Sequence, residues 1–340
     1  MTIKIIESET ARKLSAKEKW EMLGPYLQEH GRGCLAYSTL QDLNYFIDEN
    51  RGYIAYSPFK HPILSRNGKK YVLADPITAR SDYQNIIESF LSKNPDSVFI
   101  QVSRDAAEVL DATGLEVNQL GIETEIDLND FSTKGAARSK LRQWQNKCRR
   151  EGVAVEERDI AEVDLTEVKN ISKKWIKRKG GHEFSMLTRP LVYGHEQDVR
   201  YFWAKQDGKT IAMSIFDPIY EKQKIVGYYH NFDRIVQKSP NGTGSHCVLE
   251  AINRFKDEGV QFVSLGMSPL SRIDDDLNHN ALLAWCARIL YAHGNFIYPF
   301  KGNESHKDKY NGSKKKIYFS SSKGNDLFEV LSLLTALKLF

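Results

Sequence analysis

The chain has 340 residues, 41% hydrophobic and 27% charged, with a net charge of +4, the profile of an ordinary globular protein long enough for two modest domains. Its four cysteines, Cys34, Cys148, Cys247 and Cys286, show no CxxC or Cys/His metal spacing, so neither a metal cluster nor a disulfide framework is expected. No run of about 20 apolar residues is present to span a bilayer, and the start "MTIKIIESETARKLSAKEKW" does not read as a signal peptide.

In the first half, "RGYIAYS" and "KKYVLADP" read as strands joined through "NGKK". The helical "DYQNIIESFLSK", the strand "SVFIQVS" and the helix "DAAEVLDATG" follow. Next comes "STKGAARSKLRQWQNKCRREG", predicted as a helix capped by Ser132 or Thr133 and closed by Gly152. Ala137, Leu141, Trp144 and Cys148 make its apolar stripe. Every charged residue from Lys134 to Arg150 is positive, with Arg138, Arg142 and Arg149 beside the stripe and Arg150 at the end. Like charges repel, and an anionic partner such as RNA phosphate or lipid headgroups relieves that cost; a solvated linker helix is the plainer alternative.

The second half repeats the order. "YFWAKQDGKTIAMSIF" is two strands around the hairpin dipeptide Asp207-Gly208, and "KIVGYYHNF" is a third. After the turn "SPNGTG", a helix runs through Val248, Leu249, Ile252 and Phe255 and stops at Gly259. The strand "VQFVSLGMSPLSR" ends in Gly266, Met267, Ser268 and Pro269, with Ser271 and Arg272 beyond. Gly266 permits close backbone approach, Pro269 fixes the exit, and the hydroxyls suit a polar ligand; a rigid turn is the alternative. Hairpin, helix, strand thus appears twice, which suits an α/β (α+β) protein of two tandem acyltransferase-like (GNAT-like) folds. The boundaries read are 1–131, a connector over 132–152, a catalytic unit over 153–325, and an amphipathic tail helix over 326–340 that either docks on the protein or lies in a membrane interface.

The blocks "GIETEIDLNDFSTKGAARSKLRQWQNKCRREG", "WIKRKGGHEF", "LGMSPLS" and "FKGNESHKDKYN" stand in an order that resembles the carboxy-terminal catalytic domain of phosphatidylglycerol lysyltransferases, from about Asp75 to Asn311. The resemblance implies transfer of an aminoacyl group from aminoacyl-tRNA to a polar lipid, by a cytoplasmic protein peripheral to the inner membrane face, with no cofactor. It implies that Gly266, Met267, Ser268, Ser271 and Arg272 face the cleft, and that Lys307 and Lys309 meet phosphate or the tRNA end. It likewise puts Glu183 on the donor ammonium and Lys177, Arg178 and Lys179 on RNA phosphates. The sequence departs from the family where "GYYHNFDR" replaces an Asp-Leu-Met-Arg-like strand, where Glu304 replaces a basic residue, and where "GSKKKIYF" follows Asn311.

An aminoacyl ester is already activated, so the protein must orient the acceptor, take a proton and stabilise an oxyanion. His230 and Asp233 are candidate proton acceptors, and Arg234 and Arg272 candidate phosphodiester ligands. Two alternatives stand beside this. One is an acyl-coenzyme A (acetyl-CoA) N-acyltransferase, with the amides of Gly242 to Ser245, glycines 242 and 244 foremost, as a phosphate cradle. The other is a non-catalytic RNA- or lipid-binding relative.

Overall fold

The structure, a computed structural model, describes residues 2–61, 65–178, 189–274 and 277–322. The strands are β1 (Ile3–Ile6), β2 (Asn44–Asp48), β3 (Gly52–His61), β4 (Ser65–Leu73), β5 (Ser97–Val102), β6 (Glu116–Asp127), β7 (Ala154–Glu157), β8 (Arg200–Gln206), β9 (Lys209–Glu221), β10 (Lys224–Ile235), β11 (Phe262–Pro269) and β12 (Ser313–Ser321). The helices are α1 (Ser8–Ala11), α2 (Ala16–His30), α3 (Tyr83–Lys93), α4 (Arg104–Ala112), α5 (Ser139–Arg150), α6 (Leu165–Arg178), α7 (Thr243–Asp257), α8 (Ala281–His293) and α9 (Phe300–Asp308).

All the strands join one sheet in the order β1-β2-β3-β4-β5-β12-β6-β11-β10-β9-β8-β7. The repeated unit is present: β3 and β4 are antiparallel, α3 crosses over, and β5 returns parallel to β4. Likewise β9 and β10 are antiparallel, α7 crosses, and β11 lies parallel to β10. Asp207 (φ 49) and Gly208 (φ 73) turn the β8–β9 hairpin, both left-handed as a tight hairpin turn requires. "NGKK" is not a connection but part of β4, with Lys69 and Lys70 paired to Phe59 and Pro58.

The halves exchange their last strands. β6, the end of the first half, pairs with β11; β12, the end of the second, pairs with β5 and β6. On one face a single core crosses this seam, joining Leu23 and Leu27 of α2 and Tyr45, Tyr53 and Tyr71 to Tyr201, Trp203, Met213 and Phe232. A reciprocal capping box at Ser15 and Glu18 starts α2. On the opposite face each half has its own core, α3 and α4 over Phe46, Phe99 and Tyr318, and α7 over Phe216, Tyr228 and Tyr310.

The connector is shorter than predicted. Residues 132–138 form no regular helix; α5 begins at Ser139, and Ala137 is exposed rather than part of a stripe. The reason lies in the arginines. Arg138 donates to the carbonyls of Ser132 and Tyr310, both 3.0 Å, and Arg142 to those of Thr133 and Gly135, which holds this stretch as a loop. The tail 326–340 lies outside the described residues.

Tyr318 of β12 is fully buried in the first half's core. Tyr318→Ala is therefore expected to cost about 3–5 kcal/mol and to lower one cooperative transition of the whole protein. Denaturant unfolding followed by both tryptophan emission and circular dichroism checks this; two separated transitions would show that the halves are independent.

Candidate active site

The first cluster sits where β9 and β10 meet the amino end of α7. A register shift between His230 and Phe232 breaks the alternation of β10 and brings His230 and Asp233 to the α7 side. His230 Nε2 lies 2.8 Å from Asp233 Oδ1, which also accepts from Ser214 Oγ at 2.5 Å. Burial alone would raise the Asp233 carboxyl, but the neighbouring imidazole and these hydrogen bonds bring it below the usual carboxylate range. A Cβ on Gly244 would lie 3.0 Å from Asp233 Oδ2, so a glycine here lets the carboxylate pack closely against the first turn of α7.

Gly242, at φ 98, caps that helix, and a Cβ there would lie 2.5 Å from Trp144 Cβ. Trp144 thus carries α5 onto α7. Thr243, Ser245 and His246 are buried behind it. The turn read from sequence as a phosphate cradle is filled by an indole and faced by a carboxylate.

The second cluster explains the ending of "VQFVSLGMSPL". β11 carries a bulge between Ser264 and Met267, and Gly266 sits there at φ 73, where a Cβ would come within 2.7 Å of the Tyr229 ring. Just past the bulge, the Met267 carbonyl accepts a hydrogen bond from Lys307 Nζ at 2.6 Å. Ser264 Oγ donates to Glu123 Oε1 at 2.6 Å and accepts from the Gly266 N–H at 3.0 Å. Cys34 adjoins Glu123, with Gln101 Nε2 3.6 Å from its sulfur. Burial raises both the Glu123 carboxyl and the Cys34 thiol. Lys307 is lowered to about 7, because its amine is enclosed and the acids near it only partly compensate.

Helix α9 links the clusters. His306 stacks on Trp144 (centroids 6.5 Å apart) and is lowered to about 4, by burial above all, despite the nearby Asp233. Lys307, the next residue, reaches the Glu123 side. A cavity of about 770 Å³ opens between the end of α2, the turns after β4 and β5, and strands β6 and β12, with Cys34 and Glu123 in its wall.

The other sequence candidates are dispersed. Ser268 pairs with Asn303 at 3.0 Å, and Ser271 is buried beside Glu304. Arg272 is turned onto α9, 2.8 Å from Glu304 and 3.4 Å from Asp308. Arg234 lies on the other side of β10 from Asp233, its guanidinium 4.2 Å from the Trp175 ring and 4.1 Å from that of Phe232, lowered to about 10 by burial. Arg149 pairs with Glu250 at 2.7 Å, while Arg150 is exposed. Lys309 donates to the Ser305 carbonyl at 2.7 Å and lies 5.5 Å from the Trp144 ring. Lys177 is exposed on α6; Lys179, Glu183 and the Arg178 side chain lie outside the described residues.

Sequence reading missed Glu123, Cys34, Ser214 and His306. It also missed a buried network in which Arg189 grips Asp217 (2.6 Å) and Glu196 (2.7 Å), with Asn231 donating to Asp217 at 2.8 Å. Glu123 alone left a signal, an acid on the opposite face of β6 from Ile122, Thr124 and Ile126. Among the described residues no group of three or more His, Cys, Asp or Glu is placed to hold a metal ion.

Asp233→Ala is expected to cost about 3 kcal/mol at neutral pH, since it strands the His230 and Ser214 donors. The folded carboxyl titrates below its unfolded value, so its stabilisation is present above about pH 4 and lost as pH falls through the folded pKa. Unfolding free energies of the wild type and the variant should therefore converge on acidification; a constant difference would count against a stabilised Asp233 carboxylate.

Comparison with known proteins places these features. The family model "Phosphatidylglycerol lysyltransferase, C-terminal" matches residues 25–320. A phosphatidylglycerol lysyltransferase of Bacillus subtilis is 23% identical over 98% of this chain, and one of Staphylococcus aureus 24% over 94%. The chain spans 38% of the length of each of these relatives. The solved structure of L-PGS from Bacillus licheniformis superposes with a TM-score of 0.76 at 22% identity, covering 94% of this chain and 96% of that one. The C-terminal domain of a putative lysylphosphatidylglycerol synthetase from Agrobacterium fabrum gives 0.75 at 19%, covering 95% and 98%. Fold, strand arrangement and the match over residues 25–320 together show that this chain belongs to the family of phosphatidylglycerol lysyltransferase carboxy-terminal domains.

Proposed function

We propose that this protein transfers an aminoacyl group from aminoacyl-tRNA to a hydroxyl of a polar lipid such as phosphatidylglycerol, lysyl being the group the relatives' names point to. The observation that carries this reading is Lys307. It is an enclosed amine, held on a backbone carbonyl, with its pKa brought to about 7 and next to a cavity wall of Glu123 and Cys34. An amine poised near neutrality suits proton transfer to and from oxygen.

In this scheme the neutral Lys307 amine takes the acceptor's hydroxyl proton as that oxygen bonds to the ester carbonyl carbon. The tetrahedral intermediate then collapses with cleavage of the bond to the tRNA ribose oxygen, which receives the proton from the Lys307 ammonium. Since the ester is already activated, no protein nucleophile is required. The donor assignment draws support from the exposed Arg150 of α5 and from Lys140 and Lys309 beside Trp144, a basic edge for phosphates. His230 and Asp233 act beside this as positioning residues for α7 and, through Trp144 and His306, for α9. A tRNA donor would place the reaction on the cytoplasmic side of the membrane. The coenzyme A alternative needs open amides at Gly242 to Ser245, where Trp144 and Asp233 now lie.

The test is transfer of radiolabelled lysine from charged tRNA to phosphatidylglycerol vesicles, with ribonuclease as control. Label reaching the lipid fraction and abolished by ribonuclease supports the reading; none reaching it, with all amino acids tried, sinks it. Lys307→Arg, cationic at every accessible pH, should lower kcat by about 100-fold or more while the fold is kept. Because the neutral amine is the base, the wild-type rate should rise with pH through about 7 and then level. A rate that falls over that interval would assign Lys307 to anion binding instead.

A further inference from the structure

Helix α8 leaves an apolar face uncovered. Leu282, Trp285 and Ile289 recur at helical spacing with 66%, 56% and 42% of their surfaces exposed, and Phe296 in the following turn is 87% exposed. Large side chains in such a row each forfeit favourable burial, and the helix had no need of them for folding, since Leu283 and Ala284 supply its buried side. The opposite side of α8 packs on α9, where Tyr291 donates to Glu304, one turn before Lys307. The uncovered face therefore belongs to the element that backs the candidate base.

The charge pattern says what covers it. From Leu277 to Phe300 there is no Asp or Glu; the basic side chains are His279, Arg288 and His293, and Lys301 follows. Arg288 is exposed between Trp285 and Ile289, its Nε on the Ile273 carbonyl at 2.9 Å, and Lys301 reaches the Ala292 carbonyl at 2.7 Å. At the amino end, Asp274 is neutralised by Lys316 at 3.2 Å, and His279 pairs with Asp111 at 3.1 Å. Apolar side chains with an indole and a cationic border are the composition of a helix that lies in the headgroup layer of an anionic bilayer. Among the described residues no helix is long and apolar enough to cross a membrane, so contact by this face would be in the plane of the surface.

We infer that α8 and the turn after it are the membrane-docking face of this protein, seated in the plane of an anionic lipid surface. This rests on the reading above that the acceptor is a polar lipid.

The test is flotation of the full chain with phosphatidylglycerol-rich vesicles and with phosphatidylcholine vesicles, comparing wild type, the double variant Trp285→Asp/Ile289→Asp, and a chain ending at residue 322. The replaced side chains are exposed, and unchanged circular dichroism and thermal unfolding would certify the fold. The wild type should float with the anionic vesicles, and the double variant should bind them more weakly by about tenfold or more. Trp285 emission should shift to the blue on binding. Equal binding by the double variant, no binding by the wild type, or loss of binding only in the shortened chain would each overturn the inference. So would a wild type that self-associates through this face, with flotation unaffected by its loss. Transfer to a short-chain, monomeric phosphatidylglycerol separates the two ideas. If docking alone is wrong, that transfer persists; if the acceptor reading is wrong, no transfer to either lipid form occurs whatever the vesicles show.

Discussion

The exchange of β6 and β12 between the halves is the constraint on which the rest depends. β12 is hydrogen-bonded to β5 on one side and β6 on the other, so the sheet cannot part at the seam without breaking two ladders. α9 ends at Asp308 and β12 starts at Ser313, which ties the helix to the seam within one short turn. Buried Tyr310 anchors that turn in the second half's core. Lys307 is placed by this tether as much as by its own hydrogen bond, and its neighbours Cys34 and Glu123 come from the first half.

The two faces of the sheet then differ in kind. Where α2 and Trp203 share a single core, the halves are fused, and the cavity opens at the edge of that fusion. Where α3 with α4 and α7 cover separate cores, each half keeps the crossover helix of its repeat. In the second half the amino end of that helix is covered by Trp144 and packed closely against Asp233. The helix terminus is thus taken up in internal packing, and the enclosed Lys307 lies instead beside the seam.

Much of the fold was legible in the sequence because the signals are local. The Asp207-Gly208 turn, the periodic helices α3, α4 and α7, and the Gly-Pro ending of β11 each depend on neighbours along the chain. The strand exchange was not legible, since nothing within "GIETEID" or "GSKKKIYF" records which half it pairs with. The connector misled for a related reason: Arg138 and Arg142 read as helix-face cations, yet they bond the carbonyls of Ser132, Thr133 and Gly135, and Arg138 also that of the distant Tyr310, which holds residues 132–138 as a loop. Lys307 and Gly266 were singled out through the resemblance and the odd composition of "LGMSPLS". Cys34 and His306 were not, because a lone cysteine and a histidine in a polar helix carry chemistry only through what the fold sets beside them. His230 and Asp233 were singled out as candidate proton acceptors on one strand, but position along a strand says nothing of which helix they support.

The Lys307 amine rests on a carbonyl, not on a side chain. A side-chain partner can be lost by any substitution at its codon; a main-chain oxygen is offered by every residue that occupies position 267. The electrostatic setting of the lysine is thereby insulated from sequence drift at the atom that holds it, and the burden of conserving it passes to position 266, where the backbone must stay left-handed against the Tyr229 ring. A replacement at position 267 thus leaves the accepting atom in place, while the glycine next to it sets the backbone that presents that atom.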